Sequence, residues 1–600
     1  MMNGSDRQTE ILYPEHPAVV RQTIQSIERI VLASVALTLT LILTGCAPAS
    51  SPTTSTAATT QISATAQRGG TVTIALTSEP DTLNPYLASQ RAAGEVHVFV
   101  IEGLLSVNDK GEFFPALATD VPTKENGGVS ADGLTITYHL KRGVTWSDGQ
   151  AFTCDDVKFT WEAVTVPNSG AVAASDYRAI DSVSCPDPLT AIVKFKSFYA
   201  AYLVPFWALL PRHATGDPAS MTKWEYNRKP IGTGPFKISE WQTGDHITLV
   251  RNNNYRDANA GKPYLDSVII RFMPSREATL QLLQTGDVNV MNDLVEQNLP
   301  QLSKMPNVLI DSAPSPRSER LLLNLGDPSV DAANPIDQHH PILTDLRVRE
   351  AMELAINKQE IVDKLMYGKG AVGTNELNTG WARCDALPSA FDPSRAQQLL
   401  EDAGWRVGSD GIRVAQGAQF AKDGTRLRLK LQGPTGDALR EQVEQLILER
   451  WKAVGIEAYI ENAPTSALLG TWDSGAIARH GKFDVLIYST GLPIADPQSQ
   501  IEGYFASWNI PSANNKGAGY NYARWINETA DNAITAAGST PDLSARRDAY
   551  CRVMDQVNHD LPMIYLYARD AIFAYRNTLQ GWVTNVWKNM GWNAADWKLK

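Results

Sequence analysis

The chain has 600 residues, with 65 Asp and Glu against 54 Lys and Arg, giving a formal net charge of −11. That acidic balance, with no basic run, excludes nucleic acid as a partner. With 43% hydrophobic and 20% charged residues, the composition excludes a wholly disordered chain and suffices for two or three domains.

In chain order, Arg21 and Arg29 precede a 14-residue apolar run, Ile30 to Leu43. This is the layout of a secretory signal, and the run is too short to span a bilayer comfortably. It ends in Leu43-Thr44-Gly45-Cys46, which resembles the lipobox of bacterial lipoproteins. The small Thr44 and Gly45 let a peptidase reach the bond before Cys46. Cys46 is therefore expected to carry a thioether-linked lipid, with residues 1–45 as the signal peptide. The protein is expected outside the cytoplasm, anchored by lipid in the periplasmic space or on the outer face of the cytoplasmic membrane. Residues 46–67 read as a flexible tether, because Ala47 to Gln67 carries no charge and is almost entirely Ala, Ser, Thr, Pro and Gln. As a random coil this tether reaches on the order of 25 Å. Beyond it, no apolar stretch approaches the length of a membrane span.

The body, 68–600, mixes strand and helix patterns, which predicts α/β lobes. Thr71 to Leu76 and Leu134 to Leu140 alternate as strands. A helical pattern through Gln281 to Thr285 stops at Gly286. Between Thr344 and Met366 helical spacing is interrupted at Asn357-Lys358, predicting two helices joined by a tight turn. Arg440 to Val454 reads as an amphipathic helix and Glu457 to Ile460 as the strand after it. Besides Cys46 there are Cys154, Cys185, Cys384 and Cys551, none in CxxC spacing, which disfavours a zinc or thioredoxin-type site. Cys154 with Cys185 is the preferred disulfide, being local; Cys384 with Cys551 rests on even parity alone.

Several segments in order resemble one family. They are Gly69-Gly70-Thr71-Val72-Thr73-Ile74-Ala75, Thr82-Leu83-Asn84-Pro85, Trp146-Ser147-Asp148-Gly149-Gln150 with Phe152-Thr153 and Asp155-Asp156-Val157, and Gly232-Thr233-Gly234-Pro235-Phe236. Leu346 to Ala351, Phe391-Asp392-Pro393 and Gly404-Trp405 follow. The chain is thus similar, over essentially everything after the tether, to the extracellular solute-binding proteins of family 5, the peptide- and nickel-type receptors of ABC importers. The resemblance implies a two-lobed periplasmic-binding-protein type II fold with an extra domain inserted in lobe I. Lobe I would comprise 68–100, 185–290 and 562–600, the insertion 101–184, and lobe II 291–561. The chain would cross between lobes near Met291-Asn292-Asp293 and near Leu561-Pro562. Binding without catalysis, no cofactor, a small solute (an oligopeptide first), ABC permease and ATPase partners, and a monomer are what the resemblance implies.

In peptide-binding members of the family an aspartate after a lobe II strand captures the ligand's amino terminus. The matching stretch runs from Tyr488, Ser489, Thr490, Gly491 and Leu492 to Asp496-Pro497, and Pro493 falls where that aspartate is sought. Asp496 is then the candidate amine anchor, weighed against a loop-capping role. Ser89 and Gln90 are the candidate polar groups from lobe I. Among competing motifs, Gly368 to Gly373 fits GxGxxG but follows a helix, so it reads as a helix-ending loop. Ser220-Met221-Thr222-Lys223 fits SxxK without KTG or SDN partners, the only support for an exported hydrolase or penicillin-binding-type enzyme. His339-His340 is a candidate metal pair weighed against a solvated loop. An oligosaccharide or metal-chelate receptor of the same fold is the other alternative. The fifteen tryptophans, including Trp582, Trp587, Trp592 and Trp597, are expected mostly in core and hinge packing.

Overall fold

The computed structural model describes residues 68–600 apart from 89, 168, 173, 293 and 492–495. The signal peptide, Cys46, the tether, Ser89, Asp293 and Leu492 therefore lie outside the described residues. The strands used below are Thr71–Leu76 (β1), Thr135–His139 (β2), Ile180–Asp187 (β3), Thr190–Phe195 (β4), Phe236–Gln242 (β5), His246–Arg251 (β6) and Ser267–Phe272 (β7). They continue with Val290–Met291 (β8), Val308–Leu323 (β9), Gly370–Val372 (β10), Arg428–Gln432 (β11), Glu457–Ile460 (β12), Val485–Thr490 (β13) and Met563–Arg576 (β14). Local signals explain most boundaries. Helix Arg276–Thr285 stops at Gly286, whose φ of 97° is a left-handed conformation that glycine adopts without strain. Helix Leu346–Leu354 is separated from the turns over 358–365 by Asn357, whose side chain accepts from the Glu360 amide.

One eleven-stranded sheet runs through both lobes in the order β12-β11-β13-β9-β14-β8-β1-β7-β6-β5, with β10 added on β14. On one side β1 lies parallel between β8 and β7, with Val72 and Ile74 wholly buried as strands covered on both faces require. On the other, β11 lies parallel to both β12 and β13. The two halves are joined by the antiparallel pair β9 and β14, registered from Val308 opposite Arg576 to Leu322 opposite Met563. The apolar cores follow this division. Residues 72–290 and 573–597 form one core, a satellite over 280–310 sits beside it, and 321–567 form the cores of the second lobe.

Two boundaries differ from expectation. The crossings lie inside β9 and β14, about twenty residues past 291–293 on the first strand and several past 561–562 on the second. The β9–β14 ladder slips between Pro314 and Ser318. Pro314 and Pro316 have no amide hydrogen to donate, so pairing fails there. A domain boundary at Ser184 would cut β3, which spans Ile180–Asp187. Strands β2, β4 and β3 form one antiparallel sheet, and Cys154, the first residue of helix Cys154–Thr165, is bonded to Cys185 on β3. A second disulfide joins Cys384 to Cys551 in lobe II. Gly370–Val372 is a short strand on Tyr567–Arg569 and not merely a helix-ending loop, since it finds a free ladder edge on β14.

Candidate functional site

The family-like motifs are structural devices that shape one side of a cleft. Asp156, buried, accepts from the Thr153 amide, the Trp146 indole and the Arg212 amide, at 3.0, 3.3 and 3.0 Å. Burial raises its carboxyl above the usual carboxylate range despite these bonds. Gly232 lies flat against the end of helix Arg91–Val100, where a Cβ would sit 1.8 Å from the Val100 carbonyl oxygen. That approach sets Thr233 to donate to Glu102 at 3.1 Å, and Glu102 in turn pairs with Arg256 at 2.5 Å.

Between the lobes lies a cleft of about 1500 Å³. Lobe I contributes helix Arg91–Val100 with Glu102 and Arg256. The hinge contributes Glu296, Arg317 and Arg569, lobe II contributes Ser489, Thr490, Gly491 and Tyr504, and the C-terminal segment contributes Trp587, Lys588 and Trp592. Asn585 shapes that last wall. Its Nδ2 donates to the Val107 carbonyl at 3.0 Å, and its Oδ1 accepts from the Trp587 and Lys588 amides at 2.8 and 3.2 Å. The Met590 amide donates to Glu95 at 3.2 Å. Lys588 is thus held between two fixed points.

Most lining charges are already matched. Glu95 pairs with Arg91 at 3.1 Å, Asp596 with Lys262 at 2.5 Å, and Asp257 stands 4.0 Å from Arg256. Arg569 bridges Glu296 at 3.1 Å and Asp437 at 2.9 Å. Asp570 has the Ser312 hydroxyl and nearby Lys369, and burial raises its carboxyl. Beneath the lobe II wall, Arg320 and Glu376 form a fully buried pair at 2.5 Å, and Glu376 also accepts from Thr490 and Gln500. Two lining cations have no carboxylate within ion-pair distance among the described residues, Arg317 and Lys588. Arg317 is open to the cleft, and its pKa is lowered by partial burial first and by neighbouring Arg569, against the attraction of Glu319 and Asp437. Burial alone brings the Lys588 ammonium down to about 8.

Of the residues singled out in the sequence, Gln90 lines the cleft and is exposed, and Ser489, Thr490 and Gly491 line its lobe II side. The Ser489 hydroxyl is committed to Glu319, itself paired with Arg440 at 2.6 Å. Tyr488 is 6% exposed and packs under Arg320, so it supports the wall and does not form it. Asp496 requires a correction. Both of its oxygens are taken by Arg546, at 2.6 and 2.7 Å, and one also accepts from the Gln498 amide. It is 5% exposed and absent from the described cleft lining, and its carboxylate caps and locks a loop. His340 is buried, its Nδ1 accepting from two amides and its Nε2 lying 3.2 Å from Asp484. No group of His, Cys, Asp and Glu among the described residues is placed to hold a metal ion. Ser220 donates to the Asp217 carbonyl at 2.9 Å, away from the described cleft lining. Trp597 and Trp582 stack in the core, whereas Trp587 and Trp592 line the cleft. Arg317, Lys588 and Trp587 carried no local signal that separates them from ordinary surface residues. The Pro-Ser-Pro over 314–316 was the one sign of a hinge beside Arg317.

The family model for bacterial extracellular solute-binding proteins, family 5 Middle, matches residues 112–512, well over half of the chain. The chain belongs to family 5 of the bacterial extracellular solute-binding proteins. This family 5 protein is 26% identical over 587 residues to the oligopeptide-binding protein AppA of Bacillus subtilis, covering 95% of the chain and 98% of that relative. It is 24% identical over 520 residues to the glutathione-binding protein GsiB of Salmonella typhimurium, covering 85% and 92%. Among solved structures, AppA from Bacillus subtilis in complex with a nonapeptide matches with a TM-score of 0.64 at 25% identity, covering 89% of the chain and all of AppA. NikZ from Campylobacter jejuni in complex with Ni(L-His) shares the fold, with a TM-score of 0.67 at 24% identity, covering 88% and 99%. The two-lobed fold expected from the sequence is thereby established, and the chain is a solute-binding protein of the ABC-transporter type and not an enzyme. No helix among the described residues is long and apolar enough to cross a membrane.

Proposed function

We propose that this protein is the lipid-anchored receptor of an ABC importer, closing its two lobes on an oligopeptide or peptide-like solute and delivering it, as a monomer, to permease and ATPase subunits. The size of the cleft carries this reading. About 1500 Å³ exceeds the roughly 300–1,000 Å³ of ordinary small-molecule sites and suits a solute of several residues. The peptide-binding relatives, matched almost end to end, support the same cargo. Closure follows from differential affinity, because a solute that touches both walls stabilises the closed form by the contacts it lacks in the open one. The anchor reading rests on Leu43-Thr44-Gly45-Cys46 and the uncharged segment after it. Acyl chains contribute about 0.8 kcal/mol per buried CH₂, so a multiply acylated Cys46 holds without a transmembrane helix.

Native mass spectrometry of the protein purified without unfolding tests the cargo. Co-purified masses that fragment as peptides are expected, and retained sugars or metal complexes alone overturn the peptide reading. Globomycin is expected to leave a slower-migrating precursor; soluble release of the protein overturns the anchor.

A further inference from the structure

We propose that the cleft is built for a solute with two anionic groups, a short peptide carrying an acidic side chain besides its terminal carboxylate, held by Arg317 at the hinge and Lys588 on the C-terminal wall. This rests on the receptor reading above and adds the charge class of the cargo. Of the six described lining carboxylates, Glu95, Glu102, Glu296 and Asp596 are held in close ion pairs. Asp257 stands 4.0 Å from the arginine that Glu102 already holds, and Asp570 has a hydroxyl and a nearby lysine, so the lining offers a solute's ammonium few acids to meet. Asp496, the one acid placed by sequence to do so, is consumed by Arg546. Arg317 and Lys588 are left over, and both line the same cavity.

A cation held in a confined cleft without a counterion has lost part of its hydration and gained no ion pair in return. An arriving carboxylate restores that loss through a charge-assisted hydrogen bond, which a neutral or cationic solute does not supply. The two cations come from separate walls. Arg317 lies in the slip of β9, beside the Ser315 hydroxyl that donates to the Arg569 carbonyl at 2.6 Å. Lys588 sits on the loop fixed by Asn585 and Glu95. A solute with two anionic groups satisfies both, and a doubly charged ligand fixes its own orientation along the cleft.

Calorimetry on the full chain, dialysed free of cargo, tests this with alanyl-alanyl-glutamate, trialanine and the C-terminal amide of trialanine. Affinity is expected to fall in that order, by about tenfold per anionic group removed. Arg317→Gln and Lys588→Met are each expected to weaken alanyl-alanyl-glutamate by about tenfold while leaving the thermal midpoint of the free protein no lower, since neither leaves a partner orphaned. Arg317→Lys is expected to retain most of the affinity. Equal binding of all three probes overturns the inference and leaves the receptor reading standing. Binding of none overturns the peptide reading and this inference with it.

Discussion

Asp496 and Lys588 show what a single charge does in this molecule when it has a partner and when it has none. Asp496 and Arg546 are buried together, with side-chain exposures of 5% and 0%. Removing one member of such a pair leaves the other charge uncompensated, at about 3–5 kcal/mol. Asp496→Ala is therefore expected to lose about that much stability in urea unfolding. The ratio of affinities for trialanine and its N-acetyl derivative is expected to be the same in the variant and the wild type; a ratio that collapses only in the variant would restore Asp496 as an amine anchor. Lys588 makes the opposite case. Its ammonium titrates at about 8 in the folded protein against the ordinary 10.5, because burial penalises the charge. Below about 8 the lysine is protonated in both states, so it adds no slope there. Between about 8 and 10.5 the unfolded chain binds more protons, so stability rises with pH through that window. Lys588→Met is expected to flatten this part of a pH series of thermal midpoints and to raise the midpoint at pH 7, by a stability gain on the order of 1 kcal/mol. An unchanged slope overturns the assignment.

At the scale of elements, the slip in β9 lies where that strand meets the end of β13. Gly491 has φ of 91° and lies so close to β9 that a Cβ would stand 1.7 Å from the Pro316 carbonyl oxygen. No L side chain fits without moving backbone. Gly491→Ala is expected to cost more than about 2 kcal/mol and to weaken solute binding, read as a lower thermal midpoint together with a smaller ligand-induced shift. A stable variant with full ligand response would refute this account of the hinge. How much could be read beforehand follows from how local each cause is. Strand alternation in Thr71–Leu76 and the Asn357 cap act over a few residues, and Gly232 marks its motif whatever it later packs against. These were legible, as was the family they compose. The crossings were not, because the polar stretch from Asp311 to Arg320 in β9 and Arg569-Asp570 in β14 read as loop, not as the middle of long strands, and the two prolines strengthen that impression. Asp496 and Arg317 were misjudged or missed for a related reason. An acid is an anchor or a loop lock according to whether an arginine 50 positions along the chain reaches it, and a lone arginine is a ligand or a surface charge according to what surrounds it.

For the molecule as a whole, a few side chains tie distant elements together across the cleft, and Arg569 is the clearest of them. It sits on β14 at the crossing, with Glu296 beside the hinge at 3.1 Å and Asp437, the cap of helix Ala438–Ala453 in lobe II, at 2.9 Å. Against the cost of burial, Tyr567 and then Glu296 and Asp437 hold its pKa above the ordinary range. Further out, Arg546 of lobe II donates to the Ala200 carbonyl at 2.9 Å, and Trp587 meets Gly380 across the mouth. Contacts present only when the lobes meet bias the open–closed equilibrium by their own free energy, and solute affinity scales with the closed fraction. Arg569→Met removes the bridge and leaves Glu296 and Asp437 to repel each other as the lobes approach. The expected result is a larger radius of gyration for the free protein in small-angle scattering and an affinity for alanyl-alanyl-glutamate about tenfold weaker. The compact form should return at saturating solute. If the variant scatters and binds as the wild type does, the bridge is no closure lock.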